Sequence, residues 1–123
     1  MSDAYDNFQR GMAHLKDGMA AQATVALEKA KKLEPDKASI REALGIAYFR
    51  IQRWKEAEAE FRAVLELSPT DDYAHYALGR ALEKQGHDTE ANGHYKLAAS
   101  LSPTSEHYAE RIMQLEDAED EPT

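Results

Sequence analysis

Cysteine is absent from the 123 residues, proline occurs four times and tryptophan once. No disulfide framework, thiolate metal site or cysteine nucleophile can therefore exist, and stability must come from packing. Long apolar runs are missing too. The longest is Ile46-Ala47-Tyr48-Phe49, whereas a spanning helix needs roughly 20 apolar residues and a signal peptide a core of roughly 7 to 15. The expectation is a soluble, cytoplasmic chain with no membrane partner.

Basic residues are also in short supply, 15 against 23 acidic ones, for a net charge of −8. That balance disfavours a nucleic-acid partner, which requires a basic patch that releases counterions. Much of the excess lies in Glu116, Asp117, Glu119, Asp120 and Glu121. Residues 118–123 are accordingly expected to form an acidic, disordered tail.

What the sequence does contain is a period. Pro35, Pro69 and Pro103 lie 34 residues apart, as do Gly11, Gly45 and Gly79. The same interval relates Ala13, Ala47 and Ala81, then Ala23, Ala57 and Ala91, then Leu33, Leu67 and Leu101. Within each unit, apolar residues recur at spacings of three and four on either side of a short break, as in Ile40, Leu44, Ala47, Tyr48 and Ile51, then Ala57, Phe61, Val64 and Leu65. That is helical spacing; the alternation of a strand is absent.

The breaks at Gly18, Gln52-Arg53 and Gly86 suit antiparallel turns. Each second helix should stop before its proline, and Asp36, Thr70 and Thr104 are expected to cap the helices that follow. Small residues in the glycine and alanine columns let helices approach, with Tyr48, Phe61, Leu82 and Tyr95 filling the remaining space. One hairpin cannot bury both of its apolar sides, so units must stack and the last needs a cap with a polar outer face. Tyr108, Ala109, Ile112 and Leu115 fit that cap.

Arg41-x2-Leu44-Gly45-x2-Tyr48, Ala57-x3-Phe61 and Pro69 follow the pattern W-x2-L-G-x2-Y, A-x3-F, P except at its first position. His75, Leu78, Gly79, Leu82, Ala91, Tyr95 and Pro103 repeat it, and Asn7, Arg10, Gly11, His14, Ala23, Leu27 and Pro35 do so more weakly. The chain thus resembles the tetratricopeptide repeat family. Repeats are expected at 4–37, 38–71 and 72–105, with a capping helix at 106–117. The fold class expected is all-α, a right-handed α-solenoid of three antiparallel helix hairpins plus the cap, seven helices in all. Arg10 and His14 in apolar columns suit an end unit with no neighbour on one side.

The resemblance implies a concave groove, lined by the first helix of each hairpin, that holds a peptide or helix of another protein. Helical spacing places Tyr5, Phe8, Met12 and Lys16 of the first unit opposite the hairpin core, with Ile46, Phe49 and Arg50 of the second and Tyr73, Tyr76, Arg80 and Lys84 of the third. Aromatic and aliphatic residues predominate where a merely solvated face would carry Glu, Lys and Gln, which marks either an interaction surface or burial against the neighbouring helix. Lys16, Arg50 and Lys84 form a basic ladder with two compatible roles, meeting a partner's carboxylates or complementing the helix C-termini.

Family members that grip acidic chaperone tails do so with a carboxylate clamp of Lys, Asn, Asn, Lys and Arg. The matching residues here are Phe8, Met12, Ala43, Tyr73 and Ala77, so that mode is not expected.

No nucleophile-base arrangement, HExxH or phosphate-binding glycine loop is present. His14, His75, His87, His94 and His107 are scattered, with His87 and His94 able to share a helix face. No cofactor, metal site or enzymatic activity is expected. Trp54 is expected to pack partly buried between helices, and Glu56, Glu58 and Glu60 to form a solvated face. The function expected is a protein-binding adaptor; the alternative is self-assembly into a homodimer through the same groove or a solenoid end.

Overall fold

Every regular element follows the helical spacing. The computed structural model describes residues 3–108 together with Glu110 and Ile112. Six complete helices run along it: α1 (Ala4–Lys16), α2 (Ala20–Leu33), α3 (Ala38–Arg50), α4 (Trp54–Leu67), α5 (Asp72–Lys84) and α6 (Asp88–Leu101). Glu106–Tyr108, Glu110 and Ile112 are helical as well, the described part of the capping helix. No strand occurs among the described residues. Residues 113–117 of the expected cap and the acidic segment 118–123 lie outside them.

The three hairpin turns share one backbone solution. Gly18 and Gly86 have φ of +75° and +82°, and Gln52 occupies the same left-handed region at 65°, where a side chain costs roughly 1 kcal/mol. Each hairpin then closes on its glycine column. A Cβ built on Gly11 would lie 2.5 Å from Leu27 Cγ, on Gly45 2.8 Å from Phe61 Cζ, and on Gly79 2.5 Å from Tyr95 Cε1. The largest fully buried side chain of each second helix therefore lies against bare backbone of the first. Leu27, Phe61 and Tyr95 are buried there with the Ala23, Ala57 and Ala91 column.

Hairpins stack through α2 on α3 and α4 on α5, with α1 also meeting α3. At the far end Tyr108 is buried. Its hydroxyl donates to Asp72 Oδ2 at 2.7 Å and its ring lies 5.1 Å from that of Tyr76. At the other end Arg10, His14, Val25 and Lys29 border an open depression on α1 and α2, as suits a terminal unit.

Two expectations are corrected. The capping column lies one residue later than Asp36, Thr70 and Thr104. Asp3 and Asp71 accept the amides of Asp6 at 2.8 Å and Ala74 at 3.0 Å, Lys37 takes the equivalent place before α3 without a side-chain bond, and the last helical run begins only at Glu106. Asp36, Thr70 and Thr104 instead complete the turn that follows each proline before helical dihedrals resume. Nor is Glu60 solvated. It is 4% exposed and lies between Lys31 Nζ at 2.7 Å and Arg41 Nη1 at 3.2 Å, so a buried charge is satisfied by cations from two other helices. Trp54 is half-buried as expected, edge-on to Phe49 with ring centroids 4.8 Å apart.

Candidate functional site

The C-terminal half of α3 and the first turns of α5 border a cavity of about 190 Å³. Ile46, Phe49 and Arg50 line it from α3, Tyr73, Tyr76, Ala77 and Arg80 from α5, and Phe61 of α4. The Phe61 and Tyr73 rings meet edge-on at 6.5 Å. A second depression of about 390 Å³ lies by the N-termini of α1 and α3, bordered by Asp3, Ala4, Tyr5, Phe8, Glu34, Lys37, Ser39 and Ile40.

Six residues expected on the groove face thus meet at one place: Ile46, Phe49, Arg50, Tyr73, Tyr76 and Arg80. Tyr5 and Phe8 meet at the other, Tyr5 exposed and Phe8 half-buried. Met12, Lys16 and Lys84 are exposed on their helices and border neither. The face is less open than the helical wheel suggests. Tyr76 is only 5% exposed, because Tyr95, His107 and Tyr108 pack around it with ring centroids at 5.6, 4.8 and 5.1 Å. Two of these three rings, His107 and Tyr108, come from the C-terminal segment after α6. Phe49 is half-buried between Trp54 and the guanidinium of Arg80, 5.3 Å from its ring centroid. Tyr73, at 41% exposure, is the most open aromatic ring of the larger constellation.

Charge at this cavity is positive. Arg50 stands in the last turn of α3 but donates to the Leu15 carbonyl at the end of a different helix, α1, at 3.0 Å, so its charge also complements that C-terminus. Lys84 places its ammonium 5.7 Å from the Trp54 ring centroid, a cation–π contact. Neither Arg50 nor Arg80 pairs with a carboxylate among the described residues, whereas Arg41 and Arg62 do. Burial pushes the Tyr73 hydroxyl above its ordinary pKa, followed by Glu42 and Tyr76, while Arg50 and Arg80 pull it down. The Glu42 carboxyl is itself raised, by burial and then by Asp71. No local pattern in the sequence signals that Asp71, the N-cap of α5, would act on Glu42.

His94 meets His75 with Nδ1···Nδ1 at 3.2 Å, not His87, which precedes α6 and is exposed. Among the described residues no group of three or more metal-binding side chains exists, and no helix is long and apolar enough to cross a membrane.

The family model for the tetratricopeptide repeat matches residues 8–72 and 43–106. The chain belongs to this family. It is 30% identical over 93 residues to Superkiller complex protein 3 of Mus musculus, covering 76% of this chain and 6% of that one. It is 29% identical over 118 residues to the protein O-mannosyl-transferase Tmtc1 of Drosophila melanogaster, covering 88% and 14%. This tetratricopeptide chain thus spans a small part of those relatives.

Among solved structures it is similar to the first TPR of Spaghetti (RPAP3) bound to the HSP90 peptide SRMEEVD, with TM-score 0.91 and 19% identity over 96% of this chain and 94% of that one. It is also similar to MamA from Desulfovibrio magneticus RS-1, with TM-score 0.93 and 24% identity over 96% and 67%. These likenesses establish the all-α solenoid fold.

Proposed function

We propose that this chain is a non-enzymatic adaptor that holds an extended or helical segment of another protein against α3 and α5. One observation carries the reading: in a chain of net charge −8, Arg50 and Arg80 flank an aromatic-walled cavity without a carboxylate of the described residues on either. A segment that places an apolar side chain beside Tyr73 and Phe49, with an acidic group within reach of the guanidiniums, complements both features. The Spaghetti domain, in which a peptide ending in Val-Asp is bound, supports binding by this fold. At the clamp positions Phe8, Met12, Ala43, Tyr73 and Ala77 offer neither cation nor amide, so the mode proposed here is aromatic rather than a two-carboxylate clamp.

The test is a peptide array graded in acidic and apolar content, followed by titration calorimetry on the tightest binder. Tyr73→Ala and Arg80→Ala should each weaken binding by about 1–2 kcal/mol without changing helical content, and added salt should weaken it further. Binding that neither variant affects, or that favours basic peptides, overturns the reading. A tight dimer in light scattering that dissociates on Tyr73→Ala would instead support self-assembly through this face.

A further inference from the structure

The second and third repeats solve one packing problem with opposite chemistry. In the second, Arg41 donates from Nε to the Pro35 carbonyl at 2.8 Å and from Nη1 to Glu60 at 3.2 Å. Moving 34 residues on, His75 Nε2 lies 3.0 Å from the Pro69 carbonyl and His75 Nδ1 lies 3.2 Å from His94 Nδ1. An ion pair is thus replaced by two imidazole rings at the same place. Lys31, the third member in the second repeat, corresponds to Leu65.

Geometry fixes the protons. A carbonyl only accepts, so His75 Nε2 carries hydrogen and donates to Pro69. In neutral His75 the Nδ1 is then bare and accepts from His94 Nδ1–H. One added proton can reside on His94 Nε2 and leave this contact intact. A second would place two N–H hydrogens in a 3.2 Å gap, with like charge on both rings. His75 is 9% exposed and poorly placed for hydration.

No carboxylate of the described residues forms an ion pair with His94. Arg62 and Glu66 of α4 border it, and Glu90 of α6 is engaged with Arg62 at 2.7 Å. Burial, then His75 and Arg62, hold His94 below its ordinary pKa, with Glu90 opposing. A folded pKa below the unfolded one means that the unfolded chain binds more protons. Stability from this group is full above about pH 6.5 and is lost as pH falls through the folded value.

We propose that the His75–His94 contact is an acid-operated latch of the third repeat, holding α6 on α5 while at most one ring is charged and releasing it when both rings are protonated. Repeats one and two, which lack this pair, remain closed. Because α5 carries Tyr73 and Arg80, release also loosens one wall of the cavity. That last consequence rests on the adaptor reading; the latch does not, and it is tested without a partner.

Hydrogen exchange read by mass spectrometry at about pH 7.5 and about pH 5, corrected for intrinsic rates, supplies the test. Peptides of α6 should lose protection by at least about tenfold more than peptides of α2. Equal losses overturn the proposal. The variant His75→Arg/His94→Glu installs the pair of the second repeat, and in it the α6-specific loss should disappear. Persistence of the loss in that folded variant also overturns the latch. Should the variant not fold, nitrogen NMR of the intact chain decides the contact itself. His75 should carry its neutral proton on Nε2 and His94 on Nδ1, and any other assignment removes the basis of the latch.

Discussion

Tyr108 donates a 2.7 Å hydrogen bond to Asp72, the first residue of α5. Through it the described capping residues are tied to the third hairpin, and the Tyr108 hydroxyl is pushed well above its ordinary pKa by burial and then by the bond to that carboxylate. Tyr108→Phe keeps the ring and removes the bond, so it should lower stability by about 1–2 kcal/mol in urea unfolding. Tyr108→Ala should lower it further and raise the fluorescence response of Tyr76 to quenchers, since Tyr76 loses the ring 5.1 Å away.

Glu60→Ala should destabilise the chain by about 2–3 kcal/mol, below the full effect of breaking a buried pair because Lys31 and Arg41 can turn toward water. Their side chains already retain 27% and 21% exposure. Lys31→Met should have a smaller effect, since Arg41 still faces Glu60. Thermal and urea unfolding of the single and double variants would show coupling between Lys31 and Glu60.

Two glycine substitutions should act in opposite directions. Gly79→Ala drives a methyl to 2.5 Å from Tyr95 Cε1 and 3.1 Å from the Ala91 carbonyl, at a cost of about 2–3 kcal/mol. Gly93, within α6, has no atom within 4 Å of an added Cβ. There Gly93→Ala should stabilise by up to about 1 kcal/mol through helix propensity. A comparison of urea midpoints checks both.

Glu42 has a folded pKa raised by burial and by Asp71. The folded chain therefore holds this proton at higher pH than the unfolded one, and stability falls as pH rises through the carboxylate range. Glu42→Gln should be the more stable protein at neutral pH, and the difference should vanish below about pH 4. Paired urea titrations at the two pH values measure it.

Much of this architecture is legible because it is written in residues whose role is local. A glycine at 11, 45 and 79, an alanine at 23, 57 and 91, and a proline at 35, 69 and 103 specify close approach and helix ends with a fixed period. The site is legible only in part, since exposure is decided by residues distant in sequence. Tyr76 lies on the expected face, yet His107 and Tyr108 enclose it from the cap. Glu60 sits in a run of alternating acids that reads as solvated, but its partners come from 29 and 19 residues earlier. The His75–His94 contact arises because the column of Arg41 touches the column of Glu60, a meeting between helices that no local pattern encodes.

Contacts between helices in this chain run almost wholly between neighbours along the sequence, and each hairpin offers the next a surface of the same kind. A structure made this way sets no preferred number of units. Lengthening it by whole 34-residue blocks leaves every existing junction unchanged, so duplication can extend the binding wall one increment at a time, while an insertion of any other length would put the glycine and alanine columns out of step.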